Sequence, residues 1–573
     1  MRKTYTAAFI FAILLYATIS GKVFASASDT LVVYAKNTIL DEVIKKDTTA
    51  SGMQAHKVYK LVSLDTTYIY LGTISVKSDI AVIGVLGADG RPPCIQPGIL
   101  DDGSMTIDLF SLKGIGTTAI FKNIYFLGIS TTGSTDWTSA IKLMADNITL
   151  YVDNCVFEAW WQYAIGYKAN GCKFYITNSK FRNLAQPSWY SGEVLRCMDS
   201  NLNTDTIVMK YNTILCGNSD AACPVTKKMI KYFEFSHNSI VWMFKGPLWI
   251  FNVTNAKIND NIFYGVHAGG ISKTEYPWWD QLWSEEYNSL IDLDTLDLAK
   301  DSVFAPEYIG NTNFRWLAEA KRNVEVKNNV YFTPSRMTDF VTVWNDTATV
   351  DYVYPVKWMN DRTAGIFADK THWPGIVESG NQNVDPGFGS TIMDVLDADK
   401  GNGIGLLNYF REIRTNTGGT NYWGYKLTVV EPKEDWTPAW PLPEAADLKY
   451  SNTALKTAGT DGLPVGDPSW FTGYIGTEEE PNVTTPKDFS LAQNYPNPFN
   501  PSTVINYSIP QSSFVTLKVF NALGQEVATL VNSEVKAGNN SVTFNASKLS
   551  SGIYFYTIKA DNFTSTKKMI LMK

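Results

Sequence analysis

Several things are scarce in this chain of 573 residues, and each scarcity excludes something. Charged residues make up only 18% and sum to a net charge of -7, which argues against a general nucleic-acid binder. The same low charge, beside 45% hydrophobic residues, also excludes a mainly disordered chain. Histidine is limited to His56, His237, His267 and His372, with no His-x-x-x-His pair, and none of the six cysteines forms a CxxC, so no zinc site is signalled. After the first twenty or so residues no apolar run could cross a bilayer, and a transmembrane helix is not expected in the mature chain. Aromatics, by contrast, reach 13%, with 17 Trp, 30 Tyr and 29 Phe. Such residues favour strands, and rings left at a surface stack on sugars.

The two ends of the chain carry addresses. Arg2 and Lys3 precede an apolar run over residues 7–19 and the small residues Ala25, Ser26 and Ala27, the pattern of a secretory signal peptide ending at residue 27. Residues 472–486 contain Glu478, Glu479, Glu480 and Pro481 without apolar periodicity and read as a linker. Residues 487–573 alternate short apolar strands with turns and predict a small Ig-like β-sandwich. Within them stand Gln493-Asn-Tyr-Pro-Asn-Pro-Phe-Asn-Pro-Ser502, Val519-Phe-Asn-Ala-Leu-Gly-Gln525, Ser551-Gly-Ile-Tyr-Phe-Tyr556 and Lys567-Lys568. On these pieces the segment resembles the type A C-terminal sorting domain of the type IX secretion system. That resemblance implies a partner, the outer-membrane secretion machinery, and an extracellular or cell-surface location. It also implies a tail commonly removed on release or attachment.

Residues 28–471 hold a recurring strand-Asn-strand unit at Asn123, Asn154, Asn178, Asn212, Asn238, Asn261 and Asn329. The spacings are 31, 24, 34, 26, 23 and then 68 residues, an uneven period expected of stacked coils with variable loops. One coil cannot bury its apolar face, whereas stacked coils form parallel sheets around a shared interior. Asn suits the corners because it tolerates a left-handed backbone and can hydrogen-bond its counterpart in the next coil. The pattern predicts an all-β chain, a parallel β-helix followed by the sandwich, with a long loop insertion near residues 266–320. The region resembles the right-handed parallel β-helix of the pectate-lyase-like superfamily, by repeat pattern and not by a catalytic motif. Residues 383–388 and 458–467 are expected to close the helix.

In this frame residues 140–144, 164–168 and 193–197 are the first strands of successive coils. The resemblance implies that an acidic polysaccharide would lie along their outer face. Lys142, Lys168 and Arg196 are then the candidate catalytic or binding cations, flanked by Trp137, Trp160, Trp161, Trp189 and Tyr190 as sugar platforms and by Trp278, Trp279 and Trp283 in the insertion. A lyase needs a base beside the uronate carboxylate and a cation to hold the developing charge. A one-residue register error would turn any of these side chains to the other face.

Hydrolysis requires two facing carboxylates, and only Glu193, Asp146 and Asp199 lie near. Calcium would rest on Glu193 with Asp199 alone, and no other cofactor is indicated. The Lys-Ser and Arg-His-Gly signatures expected of alginate or chondroitin lyases on this fold are missing, so enzymatic activity stays open. Cys216 and Cys223 could bridge a short loop, while Cys172 and Cys197, about one coil apart, could stack as thiols. Three readings follow: a polysaccharide-binding and lyase-capable passenger, a structural or adhesive surface protein, and a glycoside hydrolase.

Overall fold

The structure is a computed structural model that describes residues 29–471 and 489–572. Excepted are the connections 134–137, 185–191, 200–201, 219–221, 224–228, 271–288, 297–317, 348–351, 398–401, 416–422 and 426–439, and isolated positions. The expected signal peptide and linker, and Trp137, Trp189, Tyr190, Trp278, Trp279 and Trp283, lie outside the described residues. Contacts divide the chain into Met1–Tyr474 and Ile475–Lys573.

The first unit is a parallel β-helix with three long sheets of nine, eleven and ten strands. A representative coil runs through Ser139–Leu143 in the nine-stranded sheet 1, Thr149–Asp153 in the eleven-stranded sheet 2 and Val156–Glu158 in the ten-stranded sheet 3. It then enters sheet 1 again at Tyr163–Tyr167. Like residues stack in register, Ile141 on Ile165, Leu150 on Phe174 and Phe157 on Phe181. The interior becomes continuous columns, and the Phe126, Phe157 and Phe181 rings follow one another at 4.7 and 4.9 Å. Stacking of this kind is what lets each coil bury a face that it could not bury alone.

The corner between sheets 2 and 3 uses two adjacent columns. Asn123, Asn154, Asn178, Tyr211, His237, Asp260 and Asn328 take φ between 50° and 61°. One residue later come Asn212, Asn238, Asn261, Asn329 and Asn381, which bond to one another down the helix. The seven Asn of the sequence repeat therefore belong to two columns, left-handed residues in the first three coils and ladder residues in the last four. Two further departures concern the connections. Ser289–Asp292, inside the expected insertion, is itself a strand of sheet 1, paired with Leu248–Trp249 and Lys357–Met359. Helices Ser335–Thr347, Asp361–Ala368 and Leu406–Thr415 interrupt an otherwise β chain.

The ends are closed by helices. Leu40 and Ile44 of Leu40–Lys46 enter the core at one end, and Ile366, Phe367 and Trp373 at the other. Residues 458–467 do not close an end, whereas residues 383–388 begin in the terminal strand of sheet 3. After Gln382–Asn383, the last strand of sheet 3, the chain turns back and lies over that sheet's outer face. Outward side chains such as Leu215, Val241 and Ile262 there pack beneath Ile392, Tyr409, Trp423 and Tyr450, a second apolar core. We call the described residues of 384–471 the strap.

The second unit has a three-stranded sheet and a four-stranded antiparallel sheet, with Ile505, Leu517, Tyr556 and Met569 in its core. It is the small β-sandwich expected of the tail.

Candidate functional site

Sheet 1 positions the candidate cations. Ala140–Ile141, Ala164–Ile165 and Val194–Leu195 all belong to the core. The outer face is left with the row Asp108, Ser139, Tyr163 and Glu193 and the row Ser111, Lys142, Gly166 and Arg196. Lys142 and Arg196 thus share a row, with Gly166 between them. Lys168 stands two residues beyond Gly166, just past the strand's end, about 6.6 Å along the strand direction and exposed.

Gly166 leaves room that Tyr163 fills: a Cβ at Gly166 would sit 2.3 Å from the Tyr163 ring. The Lys142 ammonium lies 5.5 Å from the centre of that ring and 2.6 Å from Asp108 Oδ1. Burial disfavours the ammonium, but its hydrogen bonds to Asp108 and Tyr163 outweigh this and hold its pKa above the usual lysine value. Burial likewise pushes the Tyr163 phenol up, against the pull of Lys142. Neither group is set up to be a base near neutrality, because a base must be deprotonated in the resting site. Arg196 pairs with Glu193, whose side chain is buried, while the Arg196 side chain stays 40% exposed. Lys142 is held in its charged form, paired with Asp108.

The aromatic candidates separate. Trp160 is completely buried and donates its indole N–H to the Phe126 carbonyl at 2.9 Å, so it packs a corner and offers no sugar platform. Trp161, its neighbour, is only half-buried.

Among the described residues Asp108 and Glu193, the carboxylates of the outer row, do not form a hydrolytic pair on this face. Asp108 and Glu193 share an outer row but stand three strand spacings apart, about 14 Å, beyond the 6.5–9.5 Å of an inverting enzyme. Among the described residues no three His, Cys, Asp or Glu side chains gather as a metal site. Asp292 escaped the sequence reading because it falls in the expected insertion, yet it continues the row of Arg196 and Trp249. It is buried and accepts from Arg362 at 2.7 Å and Asn360 at 3.0 Å. Burial raises its pKa in spite of Arg362. The short apolar pair Leu290-Ile291, followed by Leu293 one residue after Asp292, was the available signal.

The described cysteine side chains are free and buried; Cys216 is one of them, so of the two alternatives for it, a bridge to Cys223 or a buried thiol, the structure has the thiol. Cys172 and Cys197 are both free thiols in the core, and burial pushes Cys172 up to about 12.

A second charged constellation lies under the strap. The buried Arg182 guanidinium pairs with Glu158 and makes two bonds to Glu444, 3.0 and 3.1 Å long, while Tyr125 and Asn183 also donate to Glu158. Lys180 pairs with Asp467 under the Trp470 ring. His237 donates from Nδ1 to the Pro464 carbonyl at 3.0 Å and from Nε2 to Asp461 at 3.1 Å. Cations of the sheet meet acids of the strap, an arrangement that fastens one to the other.

The fold and the C-terminal tail together define an exported β-rich protein, a parallel β-helix passenger carrying a C-terminal sandwich. Residues 493–572 match the secretion system C-terminal sorting domain family. The tail directs the protein through the type IX secretion system to the cell surface or the extracellular space, and the secretion machinery is its partner. Neither the curated proteins nor the solved structures contain a match to the chain.

Proposed function

We propose that the β-helix is a polysaccharide-binding passenger, displayed outside the cell, that uses the outer face of sheet 1 for an acidic glycan. The observation that carries this reading is the exposed Lys168 beside the part-exposed Arg196 on the outer face of sheet 1. In the row the charged donors Lys142 and Arg196 stand two coil spacings apart, about 9.6 Å, and Lys168 lies on the coil between them, displaced along the strand direction. Protonated Lys142 favours binding over β-elimination, since elimination would need a neutral base there.

The test is affinity electrophoresis of the full chain in gels containing pectin, alginate, chondroitin or a neutral glycan, with ultraviolet absorbance followed for unsaturated uronate. Retardation by an acidic glycan, weakened at least tenfold in a Lys168→Ala/Arg196→Ala double variant and without an absorbance rise, is the expected result. No retardation by any glycan would overturn it. That outcome would favour a structural or adhesive rod, for which the closed ends and the continuous Asn ladder speak.

A further inference from the structure

The sorting domain exposes apolar side chains that its core does not use. Leu523 is 84% exposed, Ile553 46% and Phe555 36%, although the sandwich is already filled by inward residues such as Val519, Tyr554 and Tyr556. Strand pairing makes them neighbours. Phe520 stands opposite Phe555, Phe555 opposite Lys568, and Ile553 opposite Ile570, all on the outer side of the four-stranded sheet. Leu523 projects from the adjoining turn, where Asn521 Oδ1 accepts from the backbone N–H groups of Leu523 and Gln525, both at 3.0 Å. Gly524 supplies the left-handed residue that this turn needs, at φ 77°.

Four pieces far apart in sequence meet at this end of the sheet. The turn 519–525 brings Phe520 and Leu523, residues 551–556 bring Ile553 and Phe555, and the last strand brings Lys568 and Ile570. The opening of the domain is tied beneath them: Gln493 donates to the Lys568 carbonyl at 2.7 Å, and Asn497 Oδ1 accepts from Ile570 N–H at 2.8 Å. These are the pieces on which the chain resembles the sorting domains, and they surround one exposed surface. An apolar patch with a polar rim is the usual mark of a protein contact.

Its charge is one-sided. Glu526, opposite Phe520, is neutralised by Lys518 at 2.8 Å, whereas no ion pair to Lys568 occurs among the described residues. The patch therefore suits a partner with an apolar cleft and carboxylates at its rim.

We propose that Phe520, Leu523, Ile553, Phe555 and Ile570, with Lys568 at the edge, form the surface by which a protein of the type IX machinery grips this tail. The surface is independent of the glycan reading, because its readout is export and not carbohydrate binding.

The experiment expresses the full chain in a bacterium with a working type IX system and measures the fraction outside the cell against the fraction in the periplasm. A Leu523→Ser/Ile553→Ser/Phe555→Ser variant is expected to drop at least tenfold in export and to accumulate in the periplasm. Thr564→Ser and Asn532→Asp, toward the other end of the same face, should export normally. Leu523→Asp alone, which disturbs no packing, should lower export severalfold, and so should Lys568→Glu. Thermal melts of the purified chains separate loss of recognition from loss of fold. Normal export of the triple variant would overturn the proposal, as would normal export of Leu523→Asp if the triple variant fails to fold. Two further results would overturn it by giving the face another occupant: variant-sensitive binding of the purified chain to protein-free liposomes, or variant-sensitive self-association in sedimentation.

Discussion

Asn238 and Asn261 stand one coil apart, and the Oδ1 of Asn261 accepts from both the backbone N–H of Asn238, at 2.9 Å, and its side-chain amide, at 3.1 Å. The Asn261 amide in turn donates to the Phe235 carbonyl at 2.7 Å. Each rung thus satisfies buried donors of one coil with an acceptor of the next, and it needs an amide because only an amide both accepts and donates here.

Asn261→Ala would strand those donors and the Phe235 carbonyl in a dry corner, at a cost of about 3 kcal/mol. Asn261→Asp, nearly isosteric, should also destabilise, since a carboxylate cannot donate to Phe235. Urea unfolding followed by circular dichroism would check this; an unchanged midpoint for Asn261→Ala would show that the ladder contributes nothing.

Arg182→Met should loosen the strap. It leaves Glu158 and Glu444 buried without their cation, a change that costs about 3–5 kcal/mol. Hydrogen exchange should rise first in residues 440–471, while the interior strands of sheet 2 keep their protection.

His237 gives the strap a pH dependence. Burial disfavours its charged form, but Asp461 and Asp260, with the Pro464 carbonyl, reverse the balance and raise its pKa above 6.5. Facing the imidazole are Asp461 from the strap and Asp260 from the neighbouring coil, with the Tyr211 ring 5.4 Å away. A raised folded-state pKa means that this stabilisation is complete below about pH 6.5 and fades as pH climbs through the folded value. Strap exchange should therefore accelerate from acidic to alkaline pH once the intrinsic base-catalysed rate is divided out, and His237→Gln should flatten the profile.

The thiols should be unreactive in the native state. Cys94, Cys155, Cys172, Cys197 and Cys216 are free and buried, with pKa values raised by desolvation. Titration with a thiol reagent at pH 8 should label at most Cys223 before denaturant is added and all six cysteines afterwards.

Much of the fold was legible because coil stacking imposes local chemistry. The corner between sheets 2 and 3 is mostly Asn, with Tyr211, His237 and Asp260 as exceptions, and the inward positions are apolar. The two corner columns merged in the sequence because Asn suits both the left-handed position, as at Asn154, and the ladder position next to it, as at Asn238. Only pairing between coils tells them apart. The same limit applies to Trp160, whose burial follows from the corner it fills, and to Asp292, whose strand lies in what reads as a loop.

By itself the sequence determined a stacked β architecture and a sorting tail, since both are written in short local patterns: a strand-Asn-strand unit in the passenger, and four motif pieces in the tail. Tertiary structure decided what those patterns could not carry. It placed Lys142 and Arg196 in one row with Lys168 past the end of the strand between them, filled the gap at Gly166 with Tyr163, and turned the described residues of the strap back over sheet 3. Outer-face register and long-range docking depend on how separate coils align, and the residues of a single coil do not encode that alignment.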